Sequence, residues 1–319
     1  MTWKIPAMSD VLLARERIAP YLRPTPLYAH PALRDALGTD VWVKHENYQP
    51  VGAFKVRGGI NLVASLDEDE RRRGVSGAST GNHGQSIAYA ARLFGVEAVI
   101  VVRKGANPVK VASMRGLGAT VIEHGRDFDE AREHCERLSE ERGYRYIHSG
   151  NEPLLIAGVA TLTLEILEDE PRIDVIIGPV GGGSGMAGAC IVARAIRPEA
   201  RLIAVQAEAA PAAYRSWQAR ARVEATTATA AEGLATRTPF ELPQEILQQH
   251  LDDFVLVSET ELVDATRLMI ETTKSLVEHA GAAALAAALR MRDELLGKRV
   301  ALVCSGGNLS PAQLRSVLG

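Results

Sequence analysis

Lys55 stands in Ala53-Phe54-Lys55-Val56-Arg57-Gly58-Gly59, directly after the turn Gln49-Pro50-Val51-Gly52. Two distant segments carry chemistry that matches it. Gly181-Gly182-Gly183-Ser184-Gly185 lies behind the apolar run Val175-Ile176-Ile177 and ahead of a helical pattern from Met186 to Ile196. Ser305-Gly306-Gly307-Asn308 follows the apolar run Val300 to Cys304. An amine can hold an aldehyde as a Schiff base, a glycine cup can hold a phosphate, and a hydroxyl can meet a ring nitrogen. Together these are the needs of pyridoxal phosphate.

Each segment also has an ordinary reading. A lysine at a helix start is usually a solvated surface residue. To attack an aldehyde it must be unprotonated, which takes burial or nearby positive charge; Phe54 and Val56 bracket Lys55 accordingly. A glycine run is often a flexible turn. Four glycines in five positions, before a helix whose positive end would face the same point, instead make an anion cup to which Ser184 adds a hydroxyl. It is not the nucleotide motif, because no Lys-Ser/Thr pair follows. Ser79-Thr80-Gly81-Asn82-His83-Gly84 has more capping residues than a cap requires, and its donors at a helix start suit a carboxylate. Ser-Gly-Gly-Asn after a strand is often only a turn. Facing a pyridine nitrogen, however, Ser305 would be a neutral partner. The ring would then be a weaker electron sink, which favours prompt expulsion of a β-leaving group.

Positioning these loops requires strands that end beside them. Short apolar runs recur at Val41–Lys44, Val75–Ala78, Val99–Val102, Thr120–Ile122, Tyr146–His148, Val175–Ile177, Leu202–Val205, Phe254–Val257 and Val300–Cys304. Most lack alternation, as expected of parallel strands covered on both faces. Helical patterns fall between them, at Gly84–Phe94, Asp127–Arg142, Leu154–Glu168, Glu259–Lys274 and Ala282–Leu296. This alternation predicts a doubly wound α/β fold. Residues 74–149 hold enough strands for a sheet of their own. The expected division is therefore a large domain of residues 1–73 and 150–319 and a small one of residues 74–149, with the site in the cleft between. The run Asp67 to Arg73 reads as a solvated helix end, and Ala207 to Ala231 as a helix and loop.

With 319 residues and a net charge of −3, the chain has core enough for two modest domains and no charge excess suited to a polyanion. No basic stripe suggests nucleic acid. No apolar run approaches the ~20 residues of a membrane span. The first residues lack a signal-peptide layout, and Cys135, Cys190 and Cys304 form no CxxC pair. These features predict a cytoplasmic protein whose thiols are small core residues. The histidines show no metal spacing, and no Ser–His–Asp set or Gly-x-Ser-x-Gly elbow is evident.

Taken in order, the segments resemble the fold-type-II pyridoxal-phosphate enzymes of the threonine/serine dehydratase and serine racemase family, which share the tryptophan synthase β-like fold. The likeness runs over nearly the whole chain. It is carried by Arg23-Pro24-Thr25-Pro26-Leu27, Lys44 to Pro50, Phe54 to Gly58, Gly81 to Gln85, Glu152-Pro153, Gly181 to Gly185 and Ser305 to Asn308. The resemblance implies two doubly wound, mostly parallel-sheet domains with the cofactor between them, a homodimer, and a small amino-acid substrate. It implies that Lys55 holds the cofactor and takes the Cα proton, that Phe54 packs beside the ring, and that Gly181, Gly182, Gly183, Ser184 and Gly185 hold the phosphate. It gives Asn82 to the ring hydroxyl, Ser305 to the ring nitrogen, and Ser79, Thr80, Asn82 and His83 to the substrate. The activity implied is dehydration and deamination of a β-hydroxy amino acid of the threonine/serine type to a 2-oxo acid and ammonia.

Several positions depart from the family pattern. Thr80 stands where racemases carry a serine that works the second face of Cα; its hydroxyl could return a proton there, but its methyl group crowds the approach. Glu208 matches one metal ligand of racemase-like members, whereas Tyr214 stands where a carboxylate is expected, so no metal is assigned. His279 replaces a proline and is expected to reshape the substrate rim. Little chain follows Asn308, which predicts no regulatory domain and no feedback control by isoleucine. Racemisation of serine or aspartate is the alternative activity. A dehydratase for hydroxyaspartate, phenylserine or a hydroxyectoine-derived amino acid is another, and a binding protein without turnover is the non-enzymatic one.

Overall fold

The computed structural model describes residues 3–79 and 81–319. Ten strands form two sheets. They are β1 (Leu27–Ala29), β2 (Asp40–His45), β3 (Val75–Ala78), β4 (Ala98–Val102), β5 (Thr120–Glu123), β6 (Arg145–Tyr146), β7 (Val175–Pro179), β8 (Arg201–Ala207), β9 (Asp253–Val257) and β10 (Arg299–Cys304). The larger sheet has the order β1-β2-β10-β7-β8-β9, the smaller β5-β4-β3-β6. Every pairing is parallel except β1 with β2. The doubly wound α/β expectation is met.

Burial on both faces explains the unbroken apolar runs. Val175 and Ile177 enter one cluster, with Ile203, Val300 and Leu302, beneath the alanine-rich helix His279–Arg290. Ile176 points the other way and joins Leu202, Ala301 and Val303 beneath the helices Pro153–Asp169 and Ser184–Ile196. Strand β1 escaped the sequence reading because three residues, two of them exposed, carry almost no periodic signal. The run Tyr146–His148 also stops short as a strand. The Nδ1 of His148 accepts the N–H groups of Gly150 and Asn151, which turns the chain at that point. No helix among the described residues is long and apolar enough to cross a membrane.

The helix Lys55–Ala64 is wedged between Asn82–Phe94 and Pro153–Asp169. A Cβ on Gly59 would lie 2.7 Å from the backbone oxygen of Ser86, and one on Gly58 would lie 2.9 Å from that of Leu155. The Gly58-Gly59 pair therefore lets two helices approach the one that begins at Lys55.

A buried ionic cluster holds the same helix from below. Arg57, 1% exposed, donates from Nε and Nη2 to Glu46 at 2.8 Å and from Nη1 to Glu165 at 2.6 Å. Lys44 donates to Glu165 and to the carbonyl of Thr25, both at 2.6 Å. Two cations meet two carboxylates, so the buried charge is balanced. Burial alone would raise the Glu46 carboxyl; Arg57, with help from Lys44, outweighs it and holds the carboxyl below its ordinary range. The cluster ties the lysine-bearing helix to β2 and to Pro153–Asp169.

Candidate active site

Lys55 opens its helix at the floor of a chamber of about 700 Å³, which is also lined by Phe54, Ser79, Asn82, His83, Gly181 to Gly185 and Ser305. The structure thus gathers the sequence-predicted residues around one space; Thr80 lies outside the described residues. The Nζ of Lys55 donates to Ser184 Oγ at 2.7 Å and to the carbonyl of Ser149 at 3.4 Å. Burial brings its pKa down to about 8, so a useful share of neutral amine exists near neutrality. The Phe54 ring centroid is 5.3 Å from Nζ, and its edge lies against Gly185.

The glycine loop is pressed from behind. A Cβ on Gly181 would lie 2.1 Å from the carbonyl oxygen of Gly233, and one on Gly182 would lie 2.5 Å from the Phe240 ring. Gly183 caps the helix Ser184–Ile196 with φ +87°, a left-handed conformation that other residues resist. The N–H groups of Gly182 to Gly185 find no acceptor among the described residues. Unspent donors at the start of a helix suit an anion of phosphate size. On that observation the loop fits the phosphate of pyridoxal phosphate.

Ser305 is buried at the end of β10, with Oγ 3.4 Å from the carbonyl of Ala280. Its own carbonyl accepts the N–H of Phe54 at 3.1 Å. An isolated bridge pairs Ala53 with Gly306, and Gly307 donates to the carbonyl of Gly52 at 2.9 Å. The segments carrying Lys55 and Ser305 are thus stitched together along their backbones.

Asn82 is held at both ends. Its Nδ2 donates to Glu278 at 2.6 Å, and its Oδ1 accepts from Asn308 at 2.8 Å. Burial pushes the Glu278 carboxyl up, although Lys110 and the Asn82 amide pull it down. His83 donates from Nε2 to the carbonyl of Ile147 at 3.3 Å, which leaves Nδ1 as a buried acceptor without a partner among the described residues. Burial, then the charge of Lys55, lowers its pKa to about 3, so the ring is neutral. Ser79 accepts the N–H of Gly81 at 3.1 Å.

Sequence reasoning missed Lys110, Glu232, Phe240 and the orienting part of Glu278, because their partners are far away along the chain. The rim role expected of His279 is not seen. That side chain is buried beneath the helix Glu259–Thr273, and its Nδ1 lies 2.9 Å from the Thr266 hydroxyl. The Thr266 hydroxyl already donates to the carbonyl of Leu262, so Nδ1 carries the proton. Glu208 pairs with Arg290 at 3.1 Å, and the Tyr214 hydroxyl accepts from Gln218. No cluster of three or more metal-ligating side chains occurs among the described residues.

A family model described as pyridoxal-phosphate dependent enzyme matches residues 18–306. The chain belongs to that family. It is 39% identical to the L-threonine ammonia-lyase of Thermotoga maritima, over 95% of this chain and 75% of that protein. It is 36% identical to the L-threo-3-hydroxyaspartate ammonia-lyase of Saccharomyces cerevisiae, over 96% of this chain and 94% of that protein. The crystal structure of serine racemase from Dictyostelium discoideum superposes with a TM-score of 0.89 at 34% identity, covering 95% of this chain and 99% of that one. The enzyme thus has the fold-type-II architecture, and pyridoxal phosphate is its cofactor.

Proposed function

We propose that the enzyme is an ammonia-lyase that converts a β-hydroxy amino acid of the threonine/serine type into a 2-oxo acid and ammonia. One observation carries the reading: a lysine amine of lowered pKa sits 2.7 Å from the first side chain of an anion-binding helix start, on the floor of one chamber. The names of the relatives in Thermotoga and Saccharomyces support the reaction class.

In this reading the loop Gly181 to Gly185 holds the cofactor phosphate, Phe54 covers one side of the ring, and Ser305 offers its hydroxyl to the ring nitrogen. Asn82 presents its amide to the ring hydroxyl, in an orientation set by Glu278 and Asn308. Bound pyridoxal phosphate supplies the electron sink that makes the Cα–H bond of an amino acid acidic. Lys55 first anchors the cofactor through Nζ and then, as the free amine, takes the Cα proton at the same atom. General base help of this kind is worth ~10²–10⁴ in rate. Ser79 and the N–H groups at the start of Asn82–Phe94 receive the substrate carboxylate. We also propose that residues 1–73 and 150–319 form the domain bearing the lysine and phosphate loop, and residues 74–149 the one bearing the carboxylate loop.

The test is a 2-oxo acid assay across a panel of β-hydroxy amino acids, run on wild type and Lys55→Ala. Activity in the wild type on none of the panel sinks the reading. Racemisation is the second reading, supported by the likeness to serine racemase. Chiral analysis of serine that shows inversion outpacing pyruvate release would put it first.

A further inference from the structure

We propose that Lys110 is the cation that binds the substrate α-carboxylate, and that Glu232 holds it in reserve until substrate arrives. The inference rests on the carboxylate role given above to Ser79–Gly84, and it adds a charge that this loop lacks. Ser79 is a neutral hydroxyl. The Asn82 amide is neutral, held by Glu278 and Asn308, and already given above to the ring hydroxyl. His83 is neutral and has committed its N–H to Ile147. The loop itself thus offers a carboxylate backbone donors and a helix start but no formal positive charge.

Lys110 supplies one. It lies on the helix Pro108–Gly116 and is 5% exposed. A Cβ on Gly81 would be 3.3 Å from its Cδ and 3.4 Å from its Nζ, so the side chain runs along the loop backbone at its glycine. The ammonium is hydrogen-bonded to Glu232 Oε2 and lies 3.9 Å from Glu278 Oε2. Lys110, Glu232 and Lys55 line the same chamber. The two halves of the bridge differ: the lysine is buried, whereas the Glu232 side chain is 37% exposed and its Oε1 has no partner among the described residues. Glu232 can therefore turn toward water as an incoming carboxylate takes its place on Lys110. A buried ammonium keeps a counter-ion at every stage of that exchange.

This assignment predicts opposite effects from the two ends of one ion pair. The probe is glycine binding to the cofactor-loaded enzyme, followed by the absorbance of the bound cofactor, with methylamine as the comparator that lacks a carboxylate. Lys110→Met should weaken glycine about tenfold or more, the range of a hydrogen bond to a charged group, and leave methylamine within about twofold. Lys110→Arg should keep most of the glycine affinity. Glu232→Gln removes the competing anion and should tighten glycine severalfold. If the bridge only pins two elements together, Lys110→Met weakens both amines alike, and Glu232→Gln weakens glycine as well; either result overturns the proposal. Should Lys110→Met not fold, the sign of the Glu232→Gln effect decides alone. Glycine has no β-hydroxyl to lose, so failure of the lyase assay and failure of this binding test are separate outcomes.

Discussion

Arg57→Met tests the claim that a buried ionic cluster holds the lysine-bearing helix in place. The substitution keeps an unbranched stem and removes every donor that Arg57 gives to Glu46 and Glu165. Glu46, fully buried, would keep only Thr25 at 2.6 Å and Gln49 at 3.3 Å, and the cluster would carry one net negative charge. Breaking a buried pair on one side typically costs about 3–5 kcal/mol. For a chain of this length that is a fall in melting temperature of roughly 5–8 °C. The pH dependence gives a sharper signature. In the wild type Glu46 has a lowered pKa, so its contribution is present above the unfolded value and is lost as pH falls through the folded one. In the variant burial dominates and the folded pKa rises above the unfolded one, so acidification relieves the penalty. The gap between the two proteins should therefore narrow as the pH is lowered from neutrality toward the ordinary carboxylate range. Thermal unfolding of both proteins at each pH is the assay, with Arg57→Met/Glu46→Leu expected to recover part of the loss. A loss below about 1 kcal/mol, or one unchanged across that range, would refute the account of the cluster.

Lys55→Ala should lose at least about a hundredfold in 2-oxo acid formation, and borohydride followed by peptide mapping should fix the cofactor on Lys55 in the wild type; a label on another lysine ends the proposal. Cofactor capture by the apoprotein should accelerate as pH rises through about 8 and level off above it, because burial lowers the Lys55 pKa from 10.5. A stopped-flow inflection near the ordinary lysine value would contradict the burial argument. Gly181→Ala puts a methyl group 2.1 Å from the Gly233 carbonyl oxygen, which must displace the loop and weaken cofactor binding about tenfold or more, a cost of the size of moderate overpacking. Equilibrium titration with pyridoxal phosphate would show an unchanged Kd if the loop were free to yield.

The loops that gather at the chamber were legible because each is a local signal: glycines, hydroxyls or an amide between an apolar strand and a helix. The strands were legible because both their faces are covered, as Ile176 and its neighbours in β7 show. Pairings across long separations were not. Arg57 meets a glutamate 108 positions away, and Asn82 one 196 positions away, and nothing near either residue announces its partner. Lys44, Glu46, Arg57 and Thr25 lay inside segments that carried the family resemblance, yet their shared role emerges only once β2 and the helix Lys55–Ala64 are packed together. The helical pattern Ala282–Leu296 is really His279–Arg290 followed by a short 3-10 turn, Arg292–Leu295, and no glycine or proline marks that break.

The seam of main-chain contacts between Ala53 and Gly306 fixes a separation that side chains alone could not guarantee. Hydroxyl and amine hang from two ribbons that cannot slip past one another without breaking backbone hydrogen bonds on both. Lengthening either ribbon by a single residue would therefore misplace both groups at once.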